Sequence, residues 1–360
     1  MDKNNVILLI ESASCGKCTV IYDDDGYPSI MYKIPKVSIG SLASSVGSSN
    51  DIHPAFVVNG SEKDVIYMSM FMTSLYNGHY VSWFGLSPTG SITIPDLRVG
   101  IANKGTGWHL ETIYERSLLA LLAMNLNSPE ITGNTDRGRS HIHPWEYCQL
   151  TENILPGTAT TTSVKKYING SQPPMWSHNK ENWGIQDVIG GFHEICDLMK
   201  VVNGKIYCAA DNNFFSKESE IETFETTWED TGVAYDYING NITLNTTVTN
   251  IMDVEYYVSS TYKKIMCSTE YDELPLTKRQ KMCLLLLSSR LSSASEPIFE
   301  INGRFNVANN KLLCYGVFGG AEQYKNSGLG SVVIGYPIDD PNTEGHTAHT
   351  NMGSRMVFIP

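Results

Sequence analysis

Long apolar runs are missing from this sequence. Runs such as Met282–Leu287 (MCLLLL) fall far short of the ~20 residues a bilayer crossing needs, so no membrane insertion is expected. Val6–Ile10 (VILLI) is too short for the core of a secretory signal and runs into Glu11 without a cleavage site. The expectation is a chain made in, and released from, a cytosol. Cysteine is sparse as well: 8 in 360 residues cannot supply a disulfide scaffold. Charge is scarce and lopsided. Only 18% of residues are charged, and 26 bases against 38 acids leave −12, a field that repels a phosphate backbone and argues against nucleic acid as a partner. Nucleophile-elbow, phosphate-loop, dinucleotide-fingerprint and zinc-helix motifs are also missing, so no enzyme class is legible from motifs.

What is present belongs to a folded chain. Hydrophobic residues make up 41% and aromatics 10%, enough apolar surface to offset the entropy of ordering. Residues 1–50 read as a β-rich arm. Thr19–Tyr22 and Ser29–Val37 flank the turn-forming DDDGYP, and the small-residue stretch Ser38–Asn50 resembles a tether, suited to attachment or oligomerisation; a strand of the main domain is the equal alternative. Residues 51–360 read as the main domain. Lys63–Phe71 is predicted as a strand, Asn77–Gly78 as a tight turn and Pro95–Lys104 as a short helix closed by Gly105. The firmest helix is predicted at Leu110–Leu126, where Thr112 and Glu115 have capping-box spacing ahead of a nearly continuous apolar run.

Residues 127–191 carry no sustained periodicity and read as long connections tied down by Trp145, Tyr147, Tyr167, Trp176 and Trp183. Lys205–Ala209 is predicted as a strand. Residues 211–275 read as an acidic insertion with strand-like alternation near Ile242–Val248, and Thr277–Leu287 as a helix with Thr277 and Gln280 at capping-box spacing. Strands and glycine-rich turns fill Phe299–Pro360.

Metal chemistry finds little support. Cys15 and Cys18 form a lone CxxC with no second pair to complete a zinc cage, and two thiols in a turn around Gly16 is the plainer reading. His141, His143 and Cys148 lack a further ligand and read as a polar surface loop, while His178 and His193 read as packed histidines. No cofactor and no metal are expected.

Three segments carry a resemblance when taken in order: His53–Phe71, Gly105–Met124 and Met175–Tyr207. Within the last stand Gly184-Ile185-Gln186-Asp187-Val188, then Gly190-Gly191-Phe192-His193-Glu194-Ile195-Cys196, then Val202-Asn203-Gly204; the chain closes with Met352-Gly353-Ser354-Arg355. Together they resemble a family of bacteriophage and prophage proteins with the C-type-lectin fold of formylglycine-generating enzymes. The resemblance covers residues 52–207 and 312–360. It implies an α+β fold with long loops. Two departures stand out: GGFHEI replaces a GNVWEW-like stretch, removing both indoles, and Ser354 stands where the family's closing GFR has Phe.

The enzymes of this resemblance oxidise a cysteine by means of a late cysteine pair. Residues 315–360 contain no cysteine, and Cys314 stands alone before them, so catalysis is not expected. Tyrosine and adaptable polar residues occupy the stretch, a composition that paratopes share. Related phage proteins bind host receptors through this region. The resemblance therefore implies receptor contacts by Glu322, Gln323, Tyr324, Lys325, Tyr336, Asp339, Asn342, Glu344, His346 and His349, with ordinary polar loops as the equal alternative. The expected partners are a host surface glycan or protein, other virion proteins through the N-terminal arm, and further copies in a homotrimer. The expected location is the virion, at a tail or fibre tip, with assembly in the host cytoplasm. A decoration protein of the capsid or tail is the alternative.

Overall fold

The computed structural model describes residues 2–90, 92–125, 132–151, 155–157, 167–214, 228–251, 256–258, 264–286, 290–295, 302–305, 331–334 and 352–360. The fold is mixed α+β, and among the described residues it has many short strands, few helices and no barrel. Helix α1 (Lys3–Ala13) leads into β1 (Cys18–Tyr22) and β2 (Pro28–Pro35), and α2 (Ile39–Leu42) follows. Short hairpins come next: β3 (Val57–Val58) with β4 (Ser61–Glu62), then β6 (Ser74–Tyr76) with β7 (His79–Val81), on either side of β5 (Val65–Ser69). Asn77 and Gly78 both take positive φ, 51° and 85°, as the two-residue turn between β6 and β7 requires.

Helix α3 (Ile94–Ala102), capped by the Thr93 hydroxyl, precedes β8 (Trp108–Leu110) and α4 (Ile113–Asn125). The capping box forms at α4: the Thr112 backbone N–H donates to Glu115 Oε2 at 2.9 Å, and the Glu115 N–H donates to Thr112 Oγ1 at 3.2 Å. Because α4 is apolar nearly all round, it is buried continuously from Ile113 to Leu121.

The first sheet runs in the order β1-β2-β5-β19-β8, where β19 is Met356–Phe358. This order corrects the reading of residues 1–50 as an arm. Strand β2 pairs with β5 from Met31↔Ser69 to Pro35↔Val65, so the N-terminal hairpin is an integral edge of the main sheet. Helix α1 packs Ile10 against Cys18, Val20 and Phe71, and the stretch read as a tether buries Ile39 and Val46. Apolar residues decide the outcome, since Cys18, Val20, Ile30, Met31 and Ile34 are buried only when the hairpin joins the sheet and is covered on its faces.

The second sheet has the order β10-β11-β12-β13-β15: Met199–Val202, Lys205–Ala209, Trp228–Ile238, Asn241–Asn245 and Met266–Cys267. The acidic stretch read as an insertion thus supplies three of its strands, and Tyr235, Ile242 and Leu244 reach the same hydrophobic cluster as Ile66, Leu118 and Val357. Its described strands bury apolar side chains, and the one buried carboxylate among them, Asp236, is hydrogen-bonded to Asn245 and Thr249. Helix α5 (Thr269–Asp272) is capped by Ser268, and α6 (Leu276–Leu286) adds Met282–Leu286 to that cluster. Helix α6 begins at Leu276, with the Pro275 carbonyl accepting from Lys278, so Thr277 lies inside the first turn and the spacing to Gln280 is not a capping box.

A third sheet joins β14 (Tyr256–Val258), β16 (Asn302–Phe305) and β17 (Ser331–Ile334), the last two parallel. Finally β9 (His193–Ile195) pairs in parallel with β18 (Met352–Ser354).

Candidate functional site

Glu322, Gln323, Tyr324, Lys325, Tyr336, Asp339, Asn342, Glu344, His346 and His349 lie outside the described residues. The described strands fix where their two stretches of chain start and finish. Residues 306–330 connect β16 to β17, and residues 335–351 connect β17 to β18. Phe305 and Ile334 are register partners in the parallel pair, so both stretches leave the third sheet at one end.

The return point is locked. Beyond β18, Arg355 is fully buried, and its guanidinium donates to Glu194 Oε1 at 2.8 Å from Nε. It also donates to the carbonyls of Ser69 at 3.0 Å and Gln186 at 2.9 Å. Glu194 accepts from Arg116 of α4 with its other oxygen, and Arg116 reaches the Val188 carbonyl at 2.8 Å. One carboxylate therefore clamps the closing segment, the 190–196 segment and the buried helix together. Arg355 places two nitrogens on Oε1 while Arg116 takes Oε2, so both carboxylate oxygens are engaged by charged donors, which is what a buried charge requires.

Two more carboxyls complete the cluster. Burial pushes the Glu111 pKa up to about 8, with Glu194 adding repulsion against the opposing pull of Arg116 and Arg355. Burial likewise pushes Asp187 up to about 7, where Arg355 pulls the other way. Burial alone would lower the Arg355 pKa, but Glu194 and Glu111 more than offset it, so the guanidinium stays charged. All six side chains — Glu111, Arg116, Gln186, Asp187, Glu194 and Arg355 — are buried, which makes this a structural keystone.

Other buried ion pairs brace the periphery. Arg98 of α3 forks onto Asp197, and Lys104 donates to Asp23 at 2.9 Å while lying 4.5 Å above the Trp108 ring. His109 Nε2 sits 2.7 Å from Glu115 Oε1, which also accepts from Asn212 at 2.8 Å. Sequence reasoning did not single out these pairs. The available signal was Glu115 and Arg116 inside an otherwise apolar helix, since a charge in such a setting needs a partner.

The histidine and cysteine readings divide. His178 is packed: its Nδ1 accepts from the Ile185 N–H at 2.9 Å, and burial lowers its pKa to about 3. His141 and His143 sit on a partly exposed turn, and Cys148 is fully buried beneath it. Among the described residues, no group of three or more His, Cys, Asp or Glu is placed to hold a metal. In the CxxC, Cys15 is exposed with φ 53°, whereas Cys18 is buried and its thiol is pushed up to about 12. Brief alkylation of the native protein at neutral pH, followed by peptide mapping, should therefore label Cys15 and leave Cys18, Cys148 and Cys208 unmodified.

The aromatics of the long connections also divide. Tyr167 and Trp176 are fully buried and tie the loops down as expected. Trp145 and Tyr147 do not, being 71% and 61% exposed. No helix among the described residues is long and apolar enough to cross a membrane. No protein-family model and no curated protein sequence matches the chain.

Proposed function

We propose that this chain is a non-catalytic bacteriophage virion protein with a C-type-lectin-like fold, binding a host surface glycan or protein through residues 306–351. The observation that carries the reading is the placement of those stretches. Both depart from the same end of the parallel β16–β17 pair, and the second returns to a strand clamped by Arg355 and Glu194. Polar and tyrosine-bearing connections set on rigid supports suit recognition, tyrosine for contact area and the small polar residues for hydrogen bonding. The pairing of β9 with β18 supports the lectin-like reading, since it sets the 190–196 segment beside Met352–Ser354.

With residues 2–50 built into the main domain, attachment to the virion falls to an outer surface. The outward side of α1, where Leu8 and Leu9 are 61% and 58% exposed, is the face we assign to that contact. A homotrimer fits a fibre tip, and light scattering that returned only the 39.9 kDa monomer would count against it.

Saturating host cells with purified protein should block phage adsorption. A chain carrying both Tyr324→Ala and Tyr336→Ala should bind cells more weakly by about 1–4 kcal/mol and lose the block. Absence of any block by the parent protein would favour a decoration role in the capsid or tail.

A further inference from the structure

We propose that the open face of Trp145 is a carbohydrate-binding platform, separate from the C-terminal stretches and independent of whether those bind a receptor. Trp145 is 71% exposed, yet it is not loose. The His143 imidazole stacks on it, ring centroids 5.0 Å apart and planes at 19°. One indole face is thus covered and the other is presented to solvent.

The backing is fixed from below. His143 Nδ1 lies 3.1 Å from Glu146 Oε1, and the His143 backbone N–H donates to Ser140 Oγ at 3.1 Å. Glu146 is buried, accepting from Thr132 and from Trp176 Nε1 at 3.2 Å, and Trp176 is part of the core. Backbone bonds from Ser140 N–H to the Glu146 carbonyl and from Glu146 N–H to the His143 carbonyl close the turn. The indole is therefore held in place before any ligand arrives, so binding carries little ordering cost.

The neighbours suit a sugar. Arg139 pairs across an isolated bridge with the 61% exposed Tyr147, and its guanidinium is held by Asp136 at 2.8 Å. A pyranose offers a face of C–H groups carrying partial positive charge, which pack on the negative face of an aromatic ring, and a rim of hydroxyls that need planar donors and acceptors. A protein partner fits less well. The large exposed apolar side chains of this turn are Ile142, Trp145 and Tyr147, few against the about 20–30 residues a side of a stable protein interface.

The test is an array of bacterial polysaccharides with malto-, cello- and chito-oligosaccharides of three or more units, probed with the full chain. Any saccharide captured is then titrated by calorimetry. At least one should bind, about tenfold more weakly to Trp145→Ala and to an intermediate degree to Trp145→Phe, with melting temperature unchanged. The Tyr324→Ala, Tyr336→Ala chain should keep this binding, which separates the platform from the C-terminal surface. The proposal is overturned if no saccharide binds, if Trp145→Ala binds as well as the parent, or if cross-linking at position 145 captures a virion protein instead.

Discussion

Arg355→Met is expected to lower the urea midpoint of unfolding sharply, corresponding to about 3–5 kcal/mol of lost stability. Methionine fills much of the volume but donates nothing. Glu194 then keeps only Arg116, and the carbonyls of Ser69 and Gln186 lose the donor they have in the parent. Leaving a buried carboxylate half-paired costs more than the pair itself contributes, so the loss should exceed that of a surface bridge such as Lys36–Glu62 several-fold. Glu194→Gln removes the opposing charge, and combining it with Arg355→Met should cost less than the two separate losses added together. Equal unfolding midpoints for Arg355→Met and the parent would remove the keystone role.

Alkaline pH is expected to destabilise the protein at values where most proteins are indifferent. Glu111 and Asp187 have folded pKa values near 8 and 7, above those of an unfolded chain, so between those limits the folded state holds the extra protons. Stability is then greatest at low pH and falls as pH rises through the folded values. His53 and His178, lowered to about 3 by burial, act in the opposite sense, and their stabilisation is lost as pH falls below about 6.5. The two sets oppose each other below that point, whereas from pH 6.5 upward the carboxyls act alone. Raising pH from about 6.5 to 8 should cost roughly 2 kcal/mol, read as a falling melting temperature. The charges facing Glu111 are Glu194, Arg116, Arg355 and Glu115; those facing Asp187 are Arg355 and Glu194, beside Tyr167 and Gln172. Glu111→Gln keeps this setting and removes the titration, so most of the slope should vanish.

Much of the local structure was legible because local chemistry decides it. Thr112 and Glu115 cap α4 through the two reciprocal bonds that their spacing implies, and Lys205–Ala209 is a strand from end to end. Asn77–Gly78 likewise makes its turn by its own backbone preferences. Long-range partnership was less legible. Nothing in Ser29–Val37 states that it will pair with β5, since alternation shows that one face is buried and not which strand lies alongside. The acidic stretch was misread for a related reason: net charge describes the surface, and Tyr235, Ile242 and Leu244 face the other way.

The candidate site was legible unevenly. The segments that hold Glu194 and Arg355 were singled out as motifs, but the bond that joins them crosses 161 positions and has no sequence signature. The Trp145 turn was hidden by composition. An aromatic residue in a loop ordinarily plugs the core, as Trp176 does, and only the geometry separates the two.

Strand β19 lies between β5 and β8, pairing Val357 with Met68 on one side and with His109 on the other. A ribosome making this chain therefore releases β5 and β8 long before the strand that bridges them exists. Until Met356–Phe358 has emerged, the nascent polypeptide carries two open sheet edges and a vacant slot, a state that calls for chaperone protection during synthesis. Filling the slot depends on contacts of very high sequence separation, so refolding should be slow for a chain of this size.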